Sequence, residues 1–288
     1  MNIPTLALNE EAIDSLYKNR SLKIPNLHGY PINSYVILKA PEPSSSSAIA
    51  RVTEHELVLL RGDKHLIFNG VTPKDAYQTV FCDTLANDNI ILNVCTGKPG
   101  SGKTTIATAY ALDAHFTKNR KIILTKPTTT VGKTGAFGPV PGDVNEKFAP
   151  YLTSFHTVLS NVNTAKSEKY INVMLEKGDL QYMPIQFTRG CTFKDCTLIL
   201  DEAQNMDWHE LKTVISRIGE NAKIIVLGDL GQIDTHLRRE NTGLHKLVNA
   251  DHFKDSSISS YIDLKKQYRS ALCDLVEDIE TELQRDNH

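Results

Sequence analysis

The residues of this chain best suited to chemistry form one run, Gly97-Lys98-Pro99-Gly100-Ser101-Gly102-Lys103-Thr104, followed by Thr105. Glycines at this spacing let successive backbone N–H groups turn inward around an anion. A helix starting at the end of the run adds its unsatisfied amides and positive dipole end. Lysine beside a hydroxyl residue completes the pattern of a phosphate-binding loop, or P-loop. Lys103 would reach the β- and γ-phosphates of a nucleotide, and the Thr104 hydroxyl would ligate the Mg2+ that bridges them.

Other residues fit the same chemistry. The apolar run at 197–200 ends in two adjacent carboxylates, Asp201 and Glu202. At a strand tip opposite a P-loop, Asp201 would hold the Mg2+ shell and Glu202 would polarise an attacking water. A second apolar run at 223–227 leads into Gly228-Asp229-Leu230-Gly231-Gln232. There Gln232 would sit where the carboxyl ends of parallel strands meet, placed to sense a γ-phosphate or orient water. Arg269 falls between an expected last strand at 260–264 and a final helix to about residue 283. It could neutralise charge developing on a transferred phosphoryl group, in cis or across a subunit boundary. Gln78 lies in a helix expected to begin with Thr72 as cap and Pro73 in its first turn. Its amide would either read an adenine edge or stand exposed on that helix.

The elements that must position these groups are legible as strands and helices around the loop. The apolar run at 90–95 precedes the P-loop and a helical pattern follows it, giving the strand, loop, helix context that the motif needs. Further short apolar strands are expected at 121–125 and 181–184, and amphipathic helices at 144–162, 166–176 and 209–218. Between 126 and about 143 runs a long Gly-, Pro- and Thr-rich segment. Its Lys126, Lys133 and Phe137 make either a strip for phosphate backbone and base stacking or a surface loop. Trp208, the single tryptophan, would serve packing or base stacking. Ahead of all this, a short helix capped by Asn9 and two alternating strands at 34–39 and 55–60, flanking the turn-rich PEPSSSSAIARV, suggest a small β-rich unit.

Composition narrows the field. The 288 residues, 40% hydrophobic and 23% charged, hold no apolar run that could span a bilayer, and no basic segment followed by an apolar one opens the chain, so a cytoplasmic location is expected. Five scattered cysteines without a CxxC pair argue against a disulfide framework or a zinc site. A net charge of −2 means that any nucleic-acid surface must be local.

Taken together, GKPGSGKT, Lys126-Pro127, GPVPGDVNEKFAPYL, the TRGCT of 188–192, LILDEAQN at 198–205, GDLGQID from Gly228 and QYRS from Gln267 resemble the PhoH family of P-loop ATPases. That family is in turn similar to a single motor domain of superfamily 1 helicases. The resemblance implies an α/β, RecA-like P-loop NTPase with a mostly parallel central sheet flanked by helices, over residues 71–288, preceded by a small β-rich subdomain at 1–70. It implies ATP and Mg2+ as cofactors, with phosphate and metal roles for Lys103 and Thr104, an acidic pair in Asp201 and Glu202, a γ-phosphate sensor in Gln232 and a finger in Arg269. It further implies single-stranded RNA or DNA as partner, RNA favoured, and a homo-oligomer for which a hexameric ring is one form. The first 70 residues are too short for the ribonuclease domain that some relatives carry there. With one motor domain, a helicase would need a neighbouring copy to supply the missing surface. Two other readings share the P-loop: a kinase, which would need an arginine-rich lid and an acceptor pocket, and a nucleotide-gated scaffold with little turnover.

Overall fold

The structure is a computed structural model that describes residues 3–24, 27, 29–60, 66–127, 153, 156–158, 160, 167–233 and 237–268. Lys133, Phe137, Arg269, most of the helix expected at 144–162 and the final helix lie outside them.

The N-terminal part builds a five-stranded sheet. Its strands are β1 (Thr5–Ala7), β2 (Ser21–Lys23), β3 (Tyr35–Lys39), β4 (Ser47–Val52) and β5 (Glu56–Leu59), in the order β1-β3-β4-β5-β2. β1 pairs parallel with β3 and the remaining pairs are antiparallel. Helix α1 (Glu10–Asn19) starts where Asn9 Oδ1 accepts from the Ala12 amide at 3.0 Å, and it buries Ile13 and Leu16 against Val36, Leu38 and Leu57. The sequence suggested two strands about a turn. In fact the second half of that turn-rich stretch is a central strand, since Ala48, Ala50 and Val52 alternate inward while Ser47 pairs with Lys39. Alanine packs on a pleated face but carries little strand propensity, which hides β4 from a sequence reading.

The remainder forms a six-stranded sheet of β6 (Leu92–Gly97), β7 (Lys121–Thr125), β8 (Leu180–Tyr182), β9 (Cys196–Leu200), β10 (Lys223–Gly228) and β11 (Ser259–Leu264). The order is β11-β6-β10-β9-β7-β8 and every pairing is parallel. β9 and β10 are buried along their whole length, as expected of strands covered on both faces. One face is covered by α2 (Ala76–Ala86) and α3 (Lys103–Lys118), through Phe81, Leu85, Tyr110 and Leu112, with α4 (Ser167–Glu176) adding Ile171 and Met174. The other carries α5 (Trp208–Ile215), α6 (Gly243–Asn249) and α7 (Asp251–Lys254), through Leu211, Val214, Leu244 and Phe253. This is the expected RecA-like architecture, a parallel sheet with helices on both faces beside a smaller β-rich unit.

One boundary moves. α2 begins three residues later than Thr72 and Pro73 suggested, because Asp75 caps it by accepting from the Gln78 amide at 2.8 Å. The two sheets meet through polar contacts as well as apolar ones. Tyr35 Oη donates to Asp83 Oδ2 on α2 at 2.6 Å, and Arg51 Nε lies 3.2 Å from the same oxygen. Asn33 Nδ2 donates to the carbonyls of Ser257 and Ser259, each at 2.9 Å, at the start of β11.

Candidate functional site

Parallel pairing brings the carboxyl ends of β6, β9 and β10 to one edge of the sheet, with β10 interposed between the other two. The P-loop leaves β6, Asp201 and Glu202 follow β9, and the Gly228–Gln232 segment leaves β10. Together they enclose a cleft of about 250 Å3 lined by Gly102, Lys103, Thr104, Asp201, Glu202 and Gln232, with Pro99, Gly100 and Thr105 on the loop side. Gly97 and Lys98 border a neighbouring cleft toward β11 with Lys265.

The loop is held from below. Gly102 adopts φ +94° as it passes into α3, and a Cβ there would stand 2.8 Å from Gln78 Nε2. That nitrogen donates to the Ser101 carbonyl at 2.9 Å, while Gln78 Oε1 accepts from the Lys74 amide at 2.8 Å. Gln78 is thus buried beneath the loop, which corrects the alternative of an exposed helix glutamine. Lys103 Nζ folds back to donate to the carbonyls of Gly97 and Lys98.

Thr104 Oγ1 donates to Asp201 Oδ2 at 3.4 Å. Burial raises the Asp201 carboxyl above its ordinary range, and the adjacent Glu202 charge pushes the same way; the Glu202 amide, Lys126 and Lys103 oppose the shift. A buried carboxylate in this condition favours a nearby cation. Two hard oxygens this close suit Mg2+, which takes few protein ligands and fills its remaining positions with phosphate oxygens and water. Among the described residues no cluster of three or more His, Cys, Asp or Glu offers an all-protein cage.

Glu202 stands at φ 57°, ψ 35°, the left-handed region. Its Oε2 accepts from Gln204 Nε2 at 2.7 Å, and Lys126 Nζ lies 3.8 Å from Oε1. A non-glycine residue held there is strained, and such strain gathers where a side chain must be aimed.

Two neighbours of the site went unassigned in the sequence. Tyr268 donates its amide to the Gly100 carbonyl at 3.0 Å and its hydroxyl to Asp75 Oδ2 at 2.5 Å, with Lys74 Nζ 4.9 Å from its ring centre. The pairing of Leu264 with Gly97 carries the chain after β11 back to the P-loop, a consequence visible only once strand order is known. Gln204 is the other, its role hidden because its second partner, the Asp229 amide, belongs to a different strand end. Trp208, 41% exposed in the first turn of α5, lies outside the core. Phe187 is 68% exposed and adjoins in sequence Thr188, which with Pro127, Arg189 and Asn205 lines a cleft at the carboxyl edge of the sheet. Among the described residues no helix is long and apolar enough to cross a membrane.

Comparison with known proteins agrees with this geometry. The chain is 31% identical over 283 residues to Protein PhoH2 of Bacillus subtilis (strain 168), a match covering 95% of this chain and 63% of that protein. It is 35% identical over 181 residues to Protein PhoH of Escherichia coli (strain K12), covering 62% and 49%. The chain therefore spans less than two thirds of the length of these curated relatives. Among solved structures it is similar to a Pif1 helicase from Candida albicans, at 16% identity and a TM-score of 0.38, over 74% of this chain and 44% of that one. A family model described as PhoH-like protein matches residues 70–280, and with the P-loop, its acidic partner strand and the strand between them now located, the chain belongs to the PhoH family and its core is a P-loop NTPase.

Proposed function

We propose that the protein binds ATP with Mg2+ and hydrolyses it, that residues 71–288 are the ATPase domain and 1–70 an appended subdomain, and that hydrolysis drives work on single-stranded nucleic acid, RNA favoured, in a homo-oligomer. The observation that carries this reading is the convergence of Lys103, Thr104, Asp201, Glu202 and Gln232 on one cleft.

In that reading the P-loop amides and Lys103 bind the phosphates, Nζ exchanging the carbonyls of Gly97 and Lys98 for phosphate oxygens. Thr104 and Asp201 would hold Mg2+, which would supply positive charge to offset that of the nucleotide phosphates. Glu202 orients a water in line with the γ-phosphorus and takes its proton as the bond to the β-phosphate oxygen breaks and ADP leaves. Gln232 faces the γ-phosphate, and Arg269 serves as the finger in cis or from a neighbouring copy. The purine lies against the exposed ring of Tyr268, beside the Gly100 carbonyl, while Gln78, with its amide engaged by Ser101 and Lys74, braces the loop from below. For nucleic acid, the support is the carboxyl edge of the sheet beyond β9, where Phe187, Trp208 and Arg189 offer rings for bases and a cation for phosphate.

The test is steady-state ATP hydrolysis by the wild type and Lys103→Ala, with and without single-stranded RNA or DNA, over a range of protein concentration. Turnover that is lost in the variant and rises with nucleic acid and with assembly is the expected result. ATP binding without turnover under every condition overturns the hydrolase and leaves a nucleotide-gated scaffold.

A further inference from the structure

Gln204 is 1% exposed on the short turn Ala203–Asn205, and both ends of its amide are used. Nε2 donates to Glu202 Oε2 at 2.7 Å, and Oε1 accepts from the Asp229 amide at 3.0 Å. The orientation is fixed by chemistry: a carboxylate only accepts and a backbone N–H only donates, so turning the amide over would create two repulsive contacts. The chain of bonds continues beyond Asp229. Its Oδ1 accepts from the Gly231 amide at 2.8 Å and its carbonyl from the Gln232 amide at 3.1 Å.

The space for this link is made by Gly228, the last residue of β10. A Cβ there would stand 2.9 Å from Gln204 Oε1 and 2.6 Å from Leu244 Cδ2, so only glycine lets the amide pass beneath the strand end. Glu202 also needs such an anchor, since its left-handed backbone carries the side chain away from the usual path of a strand exit.

We infer that Gln204 is a positioning residue that ties the Glu202 carboxylate to the Asp229–Gln232 segment, so that the loop facing the γ-phosphate and the group that orients water move as one. The inference rests on the hydrolytic reading of Glu202 and Gln232 given above. A carboxamide suits the task because its donor and acceptor lie in one rigid plane, so displacement of the loop rotates the donor presented to Glu202. The γ-phosphate then acts on Glu202 through Gln232, Asp229 and Gln204 in turn.

The experiment compares Gln204→Met, which fills the volume without either bond, and Gln204→Asn, an uncharged amide one methylene too short to span Glu202 and the Asp229 amide together. Steady-state kinetics are measured in the wild-type and Glu202→Gln backgrounds, with nucleotide affinity from a fluorescent ATP analogue and folding from circular dichroism. In the wild-type background kcat falls by about 10- to 100-fold, the scale of a reacting group misplaced by an ångström, while nucleotide Kd stays within about twofold. In the Glu202→Gln background the same substitutions change kcat by less than about twofold, because the group they position is already disabled. Should Gln204→Met lose its fold, Gln204→Asn still decides the question, since it keeps an uncharged amide in the same place and shortens only its reach. Folded variants with wild-type kcat, or a loss equally large in both backgrounds, overturn the inference alone. A wild type that binds ATP and never turns it over overturns the hydrolytic reading and the inference together.

Discussion

Replacement of Gly102 by alanine tests how the P-loop is supported. At φ +94° a residue with a Cβ is strained, at a cost of about 1–2 kcal/mol. The added carbon also meets Gln78 Nε2 at 2.8 Å, with Ile106 Cδ1 at 3.8 Å on the far side, so the amide must give way. Gln78 then loses its bonds to the Ser101 carbonyl and the Lys74 amide, each contributing about 1 kcal/mol net. The sum is about 3–4 kcal/mol, or roughly 6–8 °C in Tm at the ~2 °C per kcal/mol of a chain this long. Gln78→Ala alone forfeits the same two bonds, about 2 kcal/mol. In the double variant that loss is counted once, since the Cβ now enters vacated space. The double variant should therefore be about 2 kcal/mol more stable than the two single losses added together. Urea denaturation of the four proteins, with the m-value held common, measures the difference. Strict additivity would refute the idea that Gln78 and Gly102 press against one another, whatever the size of the single effects.

Three further outcomes follow from the same contacts. Asp201 titrates above its unfolded value, so the folded chain retains a proton that the unfolded chain has released, and the nucleotide-free protein loses stability as pH rises through that window. Asp201→Asn should accordingly raise the nucleotide-free Tm at neutral pH and abolish the added stabilisation by Mg2+ with ATP; an unchanged Mg2+ response in differential scanning calorimetry would count against it. Lys103→Ala removes charge-assisted bonds worth about 1.5–3 kcal/mol, weakening ATP about 10- to 100-fold in a binding titration, yet leaves Tm nearly unchanged because its nucleotide-free partners are loop carbonyls. Asp83→Ala leaves the buried Tyr35 hydroxyl and the Arg51 guanidinium without their shared acceptor; as the carboxylate is 22% exposed, the cost is about 2 kcal/mol by denaturant melts, and a neutral result would remove this contact from the junction.

What the sequence disclosed and what it hid follow from the range of the interactions involved. Asp201 and Glu202 were legible because they follow a strand buried along its whole length, which reads as a plain apolar run with punctuation after it, and Lys103 and Thr104 because a glycine-rich loop separates a second, largely buried strand from the helix they begin. The start of α2 was less so: Thr72, followed by Pro73, and Asp75 are all sound start signals, and the decision for Asp75 came from Gln78, whose amide accepts from Lys74 and reaches Ser101, 23 positions away. β4 was hidden by its alanines, and Tyr268 by the register of β11 on β6. Gln204 was in plain view inside the acidic motif. Its meaning depended on β10 lying between β6 and β9, which no local pattern encodes.

The smaller sheet gains a physical role from the same reasoning. α2 holds Asp83 on the side facing Tyr35 and Arg51, and Gln78 on the side facing Ser101. β11 receives Asn33 at its first residues and leads to Tyr268 at the Gly100 carbonyl. Both elements that brace the P-loop from outside the motif are therefore the elements on which the N-terminal sheet is seated. A glycine-rich loop has little stiffness of its own, since its residues lose the most conformational freedom on ordering. Its shape is set instead by the carbonyls it offers to α2 and to the segment after β11, so that a change in how the N-terminal sheet sits on these two elements would reach the loop amides without passing through Asp201 or Glu202.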